Sequence, residues 1–345
     1  MKLKTPIGIA TALVLGTFAT VPAASAQEIT LRAADSFPSG HYIGANLIQV
    51  FMDTVSEKTG GKVAFEYFPA QQLGKSADML SLTQSGVTDI GYVGPSYVSD
   101  KMPLSSVGEL PEAFNSSCEG TKGYWEIAKP GGVLDQAEFA PNGIRLLMAM
   151  VLTPYNLVTA DREITDLDSI KGLKIRSTGG AKELAVLAIG GVPVQMPAPE
   201  VREALSRGTI DGGLFPNPSI LPYGMEPFLK YGTQGINFGS FVATYVISTD
   251  RWNTLSPETQ EIMTSVGKAA TLSGCEVADG LDRSDKNTLI EGGVVYADLP
   301  EADAAEISGI LGTVSSEWAA NLDAQGKNGT EILEAFRAAL ANPVN

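Results

Sequence analysis

The sequence predicts an α/β fold that is divided into two lobes. Segments with the two-residue period of β-strands alternate with helical segments along the chain, as in sheets whose faces are covered by helices. The chain of 345 residues is also longer than one hydrophobic core comfortably supports, so two domains are expected. No internal repeat or low-complexity tract interrupts this alternation.

The N-terminal half carries the elements of the first lobe. Its first helix is indicated by Leu47, Phe51 and Val55, which fall on one helical face. A later strand ends at Gly94-Pro95, where an extended segment gives way to a loop. The expected elements are strands at residues 28–34, 63–68, 89–93 and 144–151, and helices at residues 45–58 and 76–85.

The second lobe is predicted from a β-α-β-α-β rhythm that closes on Gly212-Gly213. A Pro-x-Pro-Glu sequence at residues 197–200 leads into the second helix of this unit. The expected elements are strands at residues 155–159, 172–176 and 192–196, and helices at residues 182–189 and 201–206.

A hinge is expected where the chain passes between the lobes. The strand at residues 241–248 should return to the first sheet, so that the chain crosses twice. The cap sequence Ser256-Pro257-Glu258 then begins a helix that runs to about residue 289, with a kink considered at Gly267 or Gly274. This helix is long enough to lie across both lobes.

The N-terminus has the three parts of an export signal. Lys2 and Lys4 are basic, residues 7–21 form an apolar core that is too short to span a bilayer, and residues 24–26 read Ala-Ser-Ala, a cleavage site. Residues 1–26 are therefore predicted to be a signal peptide that is removed on export. A retained anchor is the alternative.

Net charge disfavours certain classes of partner, and the cysteine content agrees with an exported protein. The formal charge of −15 disfavours nucleic acid and anionic membrane surfaces as partners. Cys118 and Cys275 are the two cysteines of the chain, and one pair in an exported protein predicts a disulfide. Two isolated buried thiols are the alternative.

The sequence contains few of the residues and motifs that enzymes use for catalysis. His41 is the one histidine, so a catalytic triad, a histidine metal site and acid–base work between two imidazoles are poorly supported. The chain also lacks a G-x-S-x-G motif, a phosphate-binding loop and a G-x-G-x-x-G motif. No metal or cofactor is expected, and binding between the lobes is the remaining interpretation.

Arg176 is the strongest candidate for binding a ligand. It ends the strand at residues 172–176, and sheets of this kind bind ligands beyond the carboxyl ends of their strands. The forked guanidinium suits a carboxylate, which it can hold with two parallel hydrogen bonds. Since the net charge of the protein repels anions, a local cation would have to hold one.

Four short motifs follow one another in a characteristic order. They are FPAQQLG at residues 68–74 with residues 80–89 after it, DSIKGLKIR at residues 168–176, PEVREALSRGTIDG at residues 199–212, and YVISTDRW with LSPE at residues 245–258. Together they resemble the solute receptors of tripartite ATP-independent periplasmic (TRAP) transporters, in the branch that includes the dicarboxylate receptors. The resemblance covers nearly the whole chain after the signal peptide.

The resemblance implies a two-lobe periplasmic binding protein fold with hinge strands and a long cross-lobe helix. Lobe I would comprise residues 27–153 and 242–281, and lobe II residues 154–241 and 282–345. Such a receptor is a periplasmic protein, expected here as a monomer, that closes on a small organic acid and docks on the integral membrane subunits of its transporter. In the family, the arginine of the "GLKIR" strand pairs with the ligand carboxylate, and this is Arg176.

Two departures from the family pattern bear on the ligand. Receptors of the sialic-acid type have a second arginine, which falls here on Asn156, and an asparagine, which falls on Phe215; Asn217 is close enough in sequence to replace the lost amide. One guanidinium and an aromatic residue favour a monocarboxylate with an apolar or aromatic body. Tyr155 adds to the aromatic residues at predicted strand ends. The candidate ligand-binding residues are Arg176, Asn156, Phe215, Asn217, Tyr92, Ser96, Tyr97, His41, Phe238 and Met196.

Two alternatives of other classes stay open. One is a secreted enzyme that acts on small organic acids, against which the single histidine and the missing nucleophile motifs count. The other is a receptor that serves an ATP-driven importer or a sensor kinase. Turnover assays would test the first, and neighbouring genes for two membrane subunits would test the second.

Overall fold

The computed structural model describes Met1 and residues 29–342, so the predicted signal peptide at residues 1–26 falls almost entirely outside the described residues. Two β-sheets with helices packed around them confirm the α/β prediction. The strands are β1 (Ile29–Ala34), β2 (Val63–Phe68), β3 (Ile90–Val93), β4 (Ile144–Val151), β5 (Asn156–Thr159), β6 (Lys174–Ser177), β7 (Val192–Gln195), β8 (Gly212–Phe215), β9 (Tyr231–Gln234), β10 (Val242–Ser248) and β11 (Val295–Asp298).

The helices predicted from the sequence are present, and the structure has further helices between and after them. They are α1 (Gln49–Lys58), α2 (Met79–Gln84), α3 (Ser117–Ala128), α4 (Leu167–Ile170), α5 (Ala181–Ala188), α6 (Ala198–Ser206), α7 (Asn217–Ile220), α8 (Thr249–Asn253), α9 (Pro257–Glu291), α10 (Glu301–Ala324) and α11 (Gly329–Ala341). The helix expected at residues 45–58 begins with a π-helical turn, Gly44–Ile48, before α1.

Each lobe is built on one sheet. In the first lobe the strand order is β2-β1-β3-β10-β4, in which β1 to β3 are parallel and β10 is antiparallel to both of its neighbours. In the second lobe the order is β11-β9-β5-β8-β6-β7. Every residue of β10 is buried, as expected for a strand covered on both faces.

The chain passes between the two sheets three times. It leaves the first sheet after β4, returns between β9 and β10, and leaves again along α9 towards β11. Helix α9 packs against α1, α3 and β4 of the first lobe and against α7 of the second. With 35 residues it is about 50 Å long, so it lies across both lobes as predicted.

The helix continues without interruption through Gly267 and Gly274, so the kink considered there stays a prediction. These glycines allow a close approach to β4. A Cβ atom at Gly267 would lie 2.2 Å from the carbonyl oxygen of Leu147, and one at Gly274 would lie 2.7 Å from the methyl carbon of Met150. The predicted cap is present, since the hydroxyl of Ser256 accepts the backbone N–H of Thr259.

The predicted disulfide is confirmed. It joins Cys118 in α3 to Cys275 in α9, across 157 positions of sequence. The C-terminal helices were not predicted, and α11 packs against α3 in the first lobe although its residues were assigned to lobe II. The lobe boundaries proposed from the sequence therefore stay a prediction. Within residues 29–342, none of the helices combines the length and the apolar character that a membrane crossing requires.

Candidate ligand-binding site

A narrow cavity lies where the two lobes meet. The volume of this cavity is about 20 Å³. Since one water needs roughly 10–15 Å³, the cavity has room for about one water molecule, and the two lobes are closed on each other. Seven of the lining residues are Phe or Tyr, and the full lining is Phe37, His41, Ile43, Tyr92, Tyr97, Leu152, Tyr155, Arg176, Ala198, Phe215, Ser219, Tyr223 and Phe241.

Arg176 occupies the second-lobe side of this cavity. It lies on β6, and its side chain is only 1% exposed, with the guanidinium 4.3 Å from the ring centroid of Phe215. Its Nε donates to the carbonyl of Met196 at 3.1 Å, and its terminal nitrogens donate to the carbonyl of Leu214 at 3.2 Å and to the hydroxyl of Tyr97 at 3.3 Å. All three acceptors are electrically neutral.

The charge of Arg176 has no counterion in the part of the chain that the structure describes. No carboxylate of residues 29–342 forms an ion pair with it. A buried charge without a partner is costly in a low-dielectric interior. A guanidinium also has five N–H groups, so the three hydrogen bonds to neutral acceptors leave donors free for an anion.

Tyr97 connects the lobes beside this guanidinium. It belongs to the 3-10 helix Pro95–Val98, which follows β3 of the first lobe. Its hydroxyl oxygen accepts from Arg176 and, at 3.2 Å, from the backbone N–H of Ala198, both in the second lobe. Burial raises the pKa of Tyr97, although Arg176 opposes this, so the phenol keeps its proton at neutral pH.

A second buried cation, Lys182, is paired. It lies on α5 with no exposed side-chain area, and its ammonium is 5.3 Å from the ring centroids of Tyr155 and Phe241, which both line the cavity. The ammonium donates to the carboxylate of Glu109 in the first lobe and to the carbonyl of Ser240. Burial lowers the pKa of Lys182 to about 8 while Glu109 opposes the change, so the ion pair is intact at neutral pH.

The turn after β1 builds the first-lobe wall. The buried carboxylate of Asp35 accepts from the backbone N–H of Phe37 at 3.1 Å and from the hydroxyls of Tyr67 and Tyr245 at 2.7 and 2.8 Å. Burial raises the pKa of Asp35 in spite of these bonds. They fix the start of the turn, along which the rings of Phe37 and His41 stack at 4.7 Å.

The structure brings part of the predicted site together. Five of the candidates line the cavity, namely Arg176, Tyr92, Tyr97, Phe215 and His41. Their contact with a ligand stays a prediction, but their convergence from both lobes is a feature of the fold.

Three other candidates lie beside the cavity or away from it. Met196 contributes its backbone carbonyl to Arg176 rather than its side chain. The hydroxyl of Ser96 hydrogen-bonds to that of Thr178 at 3.0 Å, which joins the lobes next to the site. Phe238 is fully buried in the hydrophobic core.

Asn156 and Asn217 lie in a separate polar cavity near the hinge. The amide of Asn156 donates to the side chain of Asn217 at 3.1 Å, and Asn217 donates to Asp282 on α9 at 3.1 Å. Burial raises the pKa of Asp282, and hydrogen bonds from Asn217 and Thr153 oppose this. The two asparagines therefore support the packing of α9, and neither lines the cavity that contains Arg176.

Several lining residues were missed by the sequence analysis. Phe37 could have been found, since it lies in the same turn as His41. Tyr223 and Phe241 follow no local motif and reach the cavity only through the packing of the second lobe and the returning crossover. The others are Ile43, Leu152, Ala198 and Ser219, whose side chains are small or aliphatic.

A larger groove of about 720 Å³ lies on the outer surface of the first lobe, between Trp125, Arg145 and Trp252. The guanidinium of Arg145 lies 4.5 Å from the ring of Trp252, and burial lowers its pKa. This groove is lined by residues of the first lobe and of α9, and its lining includes no residue of the second-lobe sheet. Among residues 29–342, no cluster of three or more acidic, histidine or cysteine side chains is suited to a metal ion.

Comparison with known proteins places the chain in a family. The family model described as bacterial extracellular solute-binding protein, family 7, matches residues 33–321. The C4-dicarboxylate-binding periplasmic protein of Rhodobacter capsulatus is 24% identical over 310 residues, which are 84% of this chain and 85% of that protein.

Solved structures have the same fold. A TRAP solute-binding protein from Rhodoferax ferrireducens with copurified benzoate superimposes with a TM-score of 0.83 at 24% identity, over 91% of this chain and 98% of that one. A TRAP periplasmic solute-binding protein from Bordetella bronchiseptica with bound (R)- and (S)-mandelate gives 0.82 at 22%, over 91% and 99%.

These identities are low, so the solved structures establish the fold and leave the ligand open. The predicted family is confirmed by the family model, which spans most of the chain. That family consists of solute-binding receptors rather than enzymes, and its TRAP members are periplasmic. The chain belongs to family 7 of the bacterial extracellular solute-binding proteins, the solute receptors of TRAP transporters.

Proposed function

We propose that this receptor captures a monocarboxylate with an aromatic or apolar body between its lobes and delivers it to TRAP membrane subunits. Export by cleavage after residue 26 and action as a periplasmic monomer are parts of the same proposal. The observation that carries it is Arg176, a fully buried guanidinium whose contacts are all with neutral groups. A ligand carboxylate would supply the missing counterion and use the N–H groups that remain free.

The balance of charge at the cavity favours one carboxylate over two. Lys182 is neutralised by Glu109, so the guanidinium contributes one uncompensated positive charge. A dicarboxylate would bring a second negative charge into a cavity whose lining, within residues 29–342, includes no second lysine or arginine. Burying that charge costs several kcal/mol, roughly a thousandfold or more in affinity.

The walls favour a flat, apolar ligand body. Phe215 and Tyr155 are nearly parallel on the second-lobe side, and Phe37 and Tyr92 pack at 4.5 Å on the other. Aromatic walls of this kind bind rings by stacked or edge contacts. The benzoate and mandelate bound to two structurally similar receptors support this ligand class, whereas the C4-dicarboxylate receptor of similar identity represents the competing one.

Ligand binding and lobe closure would be coupled through the groups on the two sides. Arg176 belongs to the second lobe and Tyr97 to the first, so a carboxylate held between them touches both. Closure excludes water and thereby strengthens the pairing of the two charges. An open form would then be converted to the closed form by contacts that exist only in the closed one.

The test is calorimetry and thermal shift on protein purified without ligand and refolded from denaturant. Benzoate, mandelate and succinate are compared on the wild type, on Arg176→Ala and on the matched control Arg202→Ala. Arg202 is also a second-lobe arginine beside an aromatic ring, 5.5 Å from Phe228, but it lies outside the cavity.

Arg176→Ala should weaken binding of an aromatic acid by about 30- to 3,000-fold, and Arg202→Ala should leave it within threefold. Arg176→Lys should also bind the aromatic acid poorly, because one ammonium cannot form the two parallel hydrogen bonds of a guanidinium. Binding of Arg176→Ala within threefold of wild type would contradict the site. A screen in which succinate binds and raises the melting temperature while aromatic acids do neither would contradict the proposed ligand class.

The two other function classes make different predictions. An enzyme would convert the bound acid, which chromatography of the recovered ligand would detect. A receptor for an ATP-driven importer or a sensor kinase would not restore uptake when reconstituted with TRAP membrane subunits. Mass spectrometry of the molecule that copurifies with the native protein would identify the ligand directly.

A further inference from the structure

His41 is a buried hydrogen-bond donor at the first-lobe wall of the cavity. The residue lines the cavity and is 1% exposed. Its Nε2 is inaccessible to water and has no hydrogen-bond partner among residues 29–342. Buried polar groups nearly always have a partner, because leaving one unpaired is costly, so this nitrogen calls for an explanation.

The tautomer of the imidazole follows from its other nitrogen. Nδ1 accepts the backbone N–H of Ile43 at 3.3 Å, so it carries a lone pair and the proton is on Nε2. Phe37 and Tyr42 stack on the ring, each with 4.7 Å between centroids, and Tyr223 meets it edge-on at 5.2 Å. In these surroundings burial lowers the pKa of His41 to about 3, and the imidazole is a neutral donor at the pH of the periplasm.

His41 and Arg176 have different neighbours in the cavity wall. The guanidinium donates to Met196, Leu214 and Tyr97 and lies over Phe215, whereas the imidazole packs among Phe37, Tyr42 and Tyr223. The two groups also differ in charge. A cation takes the carboxylate, whereas a neutral N–H is matched by a neutral oxygen and does not compensate a second negative charge.

We propose that Nε2 of His41 donates to a neutral oxygen that the ligand carries away from its carboxylate, such as a hydroxyl, ether or keto oxygen. This inference rests on the proposed function and narrows it. The ligand is then a hydroxy-, alkoxy- or oxo-substituted aromatic or cyclic monocarboxylate. His41 is then a specificity-determining residue that increases the affinity for ligands with an acceptor oxygen at this position.

The first experiment compares pairs of acids that differ by one acceptor. Affinities are measured for 3- and 4-hydroxybenzoate and for the nearly isosteric 3- and 4-methylbenzoate, on the wild type and on His41→Phe. The variant keeps an aromatic ring between Phe37 and Tyr42 and removes the donor. For the ring position that faces His41, the ratio of hydroxy to methyl affinity should fall by about three- to tenfold in the variant.

The second experiment needs no variant. The chain has one histidine, so tag-free protein labelled with ¹⁵N-histidine gives imidazole signals from His41 alone. The hydroxy acid should shift the Nε2–H proton downfield and slow its exchange with water, and the methyl acid should do neither. The spectrum of the free protein also tests the tautomer directly.

The outcomes separate this inference from the function on which it rests. The acids could bind through Arg176 while the ratio of hydroxy to methyl affinity is the same in His41→Phe, or while the Nε2–H shift is the same with the hydroxy and the methyl acid. Either result would make His41 a packing residue, and this inference would be wrong. A protonated Nδ1 in the free protein overturns it as well. Wild-type protein that binds none of the four acids contradicts both proposals.

Discussion

The buried ion pair between Lys182 and Glu109 gives a sharp test of how the closed lobes are held. Both side chains have no exposed area, and the ammonium donates to the Glu109 carboxylate and to the carbonyl of Ser240. Lys182→Met keeps most of the side-chain volume but leaves a carboxylate in the interior without its counterion. The carboxylate would retain one hydrogen bond, from the backbone N–H of Val242 at 3.3 Å.

The expected cost is about 3–5 kcal/mol in the free energy of unfolding, the usual range when one partner of a buried pair is removed. Removing both charges has a different consequence, because no uncompensated ion remains. Lys182→Met combined with Glu109→Leu should therefore unfold within about 1–2 kcal/mol of the wild type. The difference between single and double variants measures the coupling of the two residues.

The assay is urea unfolding at pH 7 with the disulfide intact, followed by fluorescence and circular dichroism together. A surface control is Lys171→Met, since Lys171 pairs with Asp168 while both side chains are mostly exposed, and no measurable change is expected there. A single variant as stable as the wild type would refute the argument. A double variant as unstable as the single one would show that packing, and not the unpaired charge, causes the loss.

Two further predictions concern helix packing and pH. Gly267→Ala should lower the free energy of unfolding by about 1–3 kcal/mol, because its Cβ would meet the backbone of β4. The control Gly280→Ala lies on the same helix with nothing within 4 Å, and it should be neutral or stabilising by up to about 1 kcal/mol. Equal effects of the two substitutions in urea unfolding would contradict the close approach. Burial lowers the pKa of His41 from its ordinary value of 6.5 to about 3, so the unfolded chain takes up the proton first as pH falls, and stability is lost below pH 6.5. Between pH 7 and pH 5 the wild type should lose about 2 kcal/mol more than His41→Phe in the same unfolding assay, and parallel losses would show that the imidazole is not held neutral.

Most of the fold could be predicted because the determinants of its strands and helices are local. The bounds of β2 and β4 agree with the prediction, since their hydrophobic patterns end at clear turn residues. Helix α9 was found from its cap at Ser256. The role of its glycines in packing could not be predicted, because the strand that they contact, β4, lies more than 100 positions away in sequence.

The residues of the candidate site also divide into those with a local sequence signal and those without one. Arg176 could be found because a strand end followed by a glycine turn is a local signal, and the turn does need Gly179 and Gly180, which have φ angles of +92° and +57°. Asn217 was misplaced because its partners are remote. It bonds to Asp282 and accepts from Tyr296, 65 and 79 positions further on, and no local pattern shows which cavity such an amide faces.

The hydroxyl of Tyr97 shows how binding can favour closure. Its oxygen has two lone pairs, and both are occupied, by an N–H of Arg176 and by the backbone N–H of Ala198. The phenolic proton must therefore point elsewhere, and within residues 29–342 no acceptor receives it. A carboxylate on the free N–H groups of Arg176 would accept this proton as well, because the two donors are adjacent. Such a ligand would add a charge-assisted bond to each lobe at the point where the lobes already touch, so the closed form would gain more from binding than the open form.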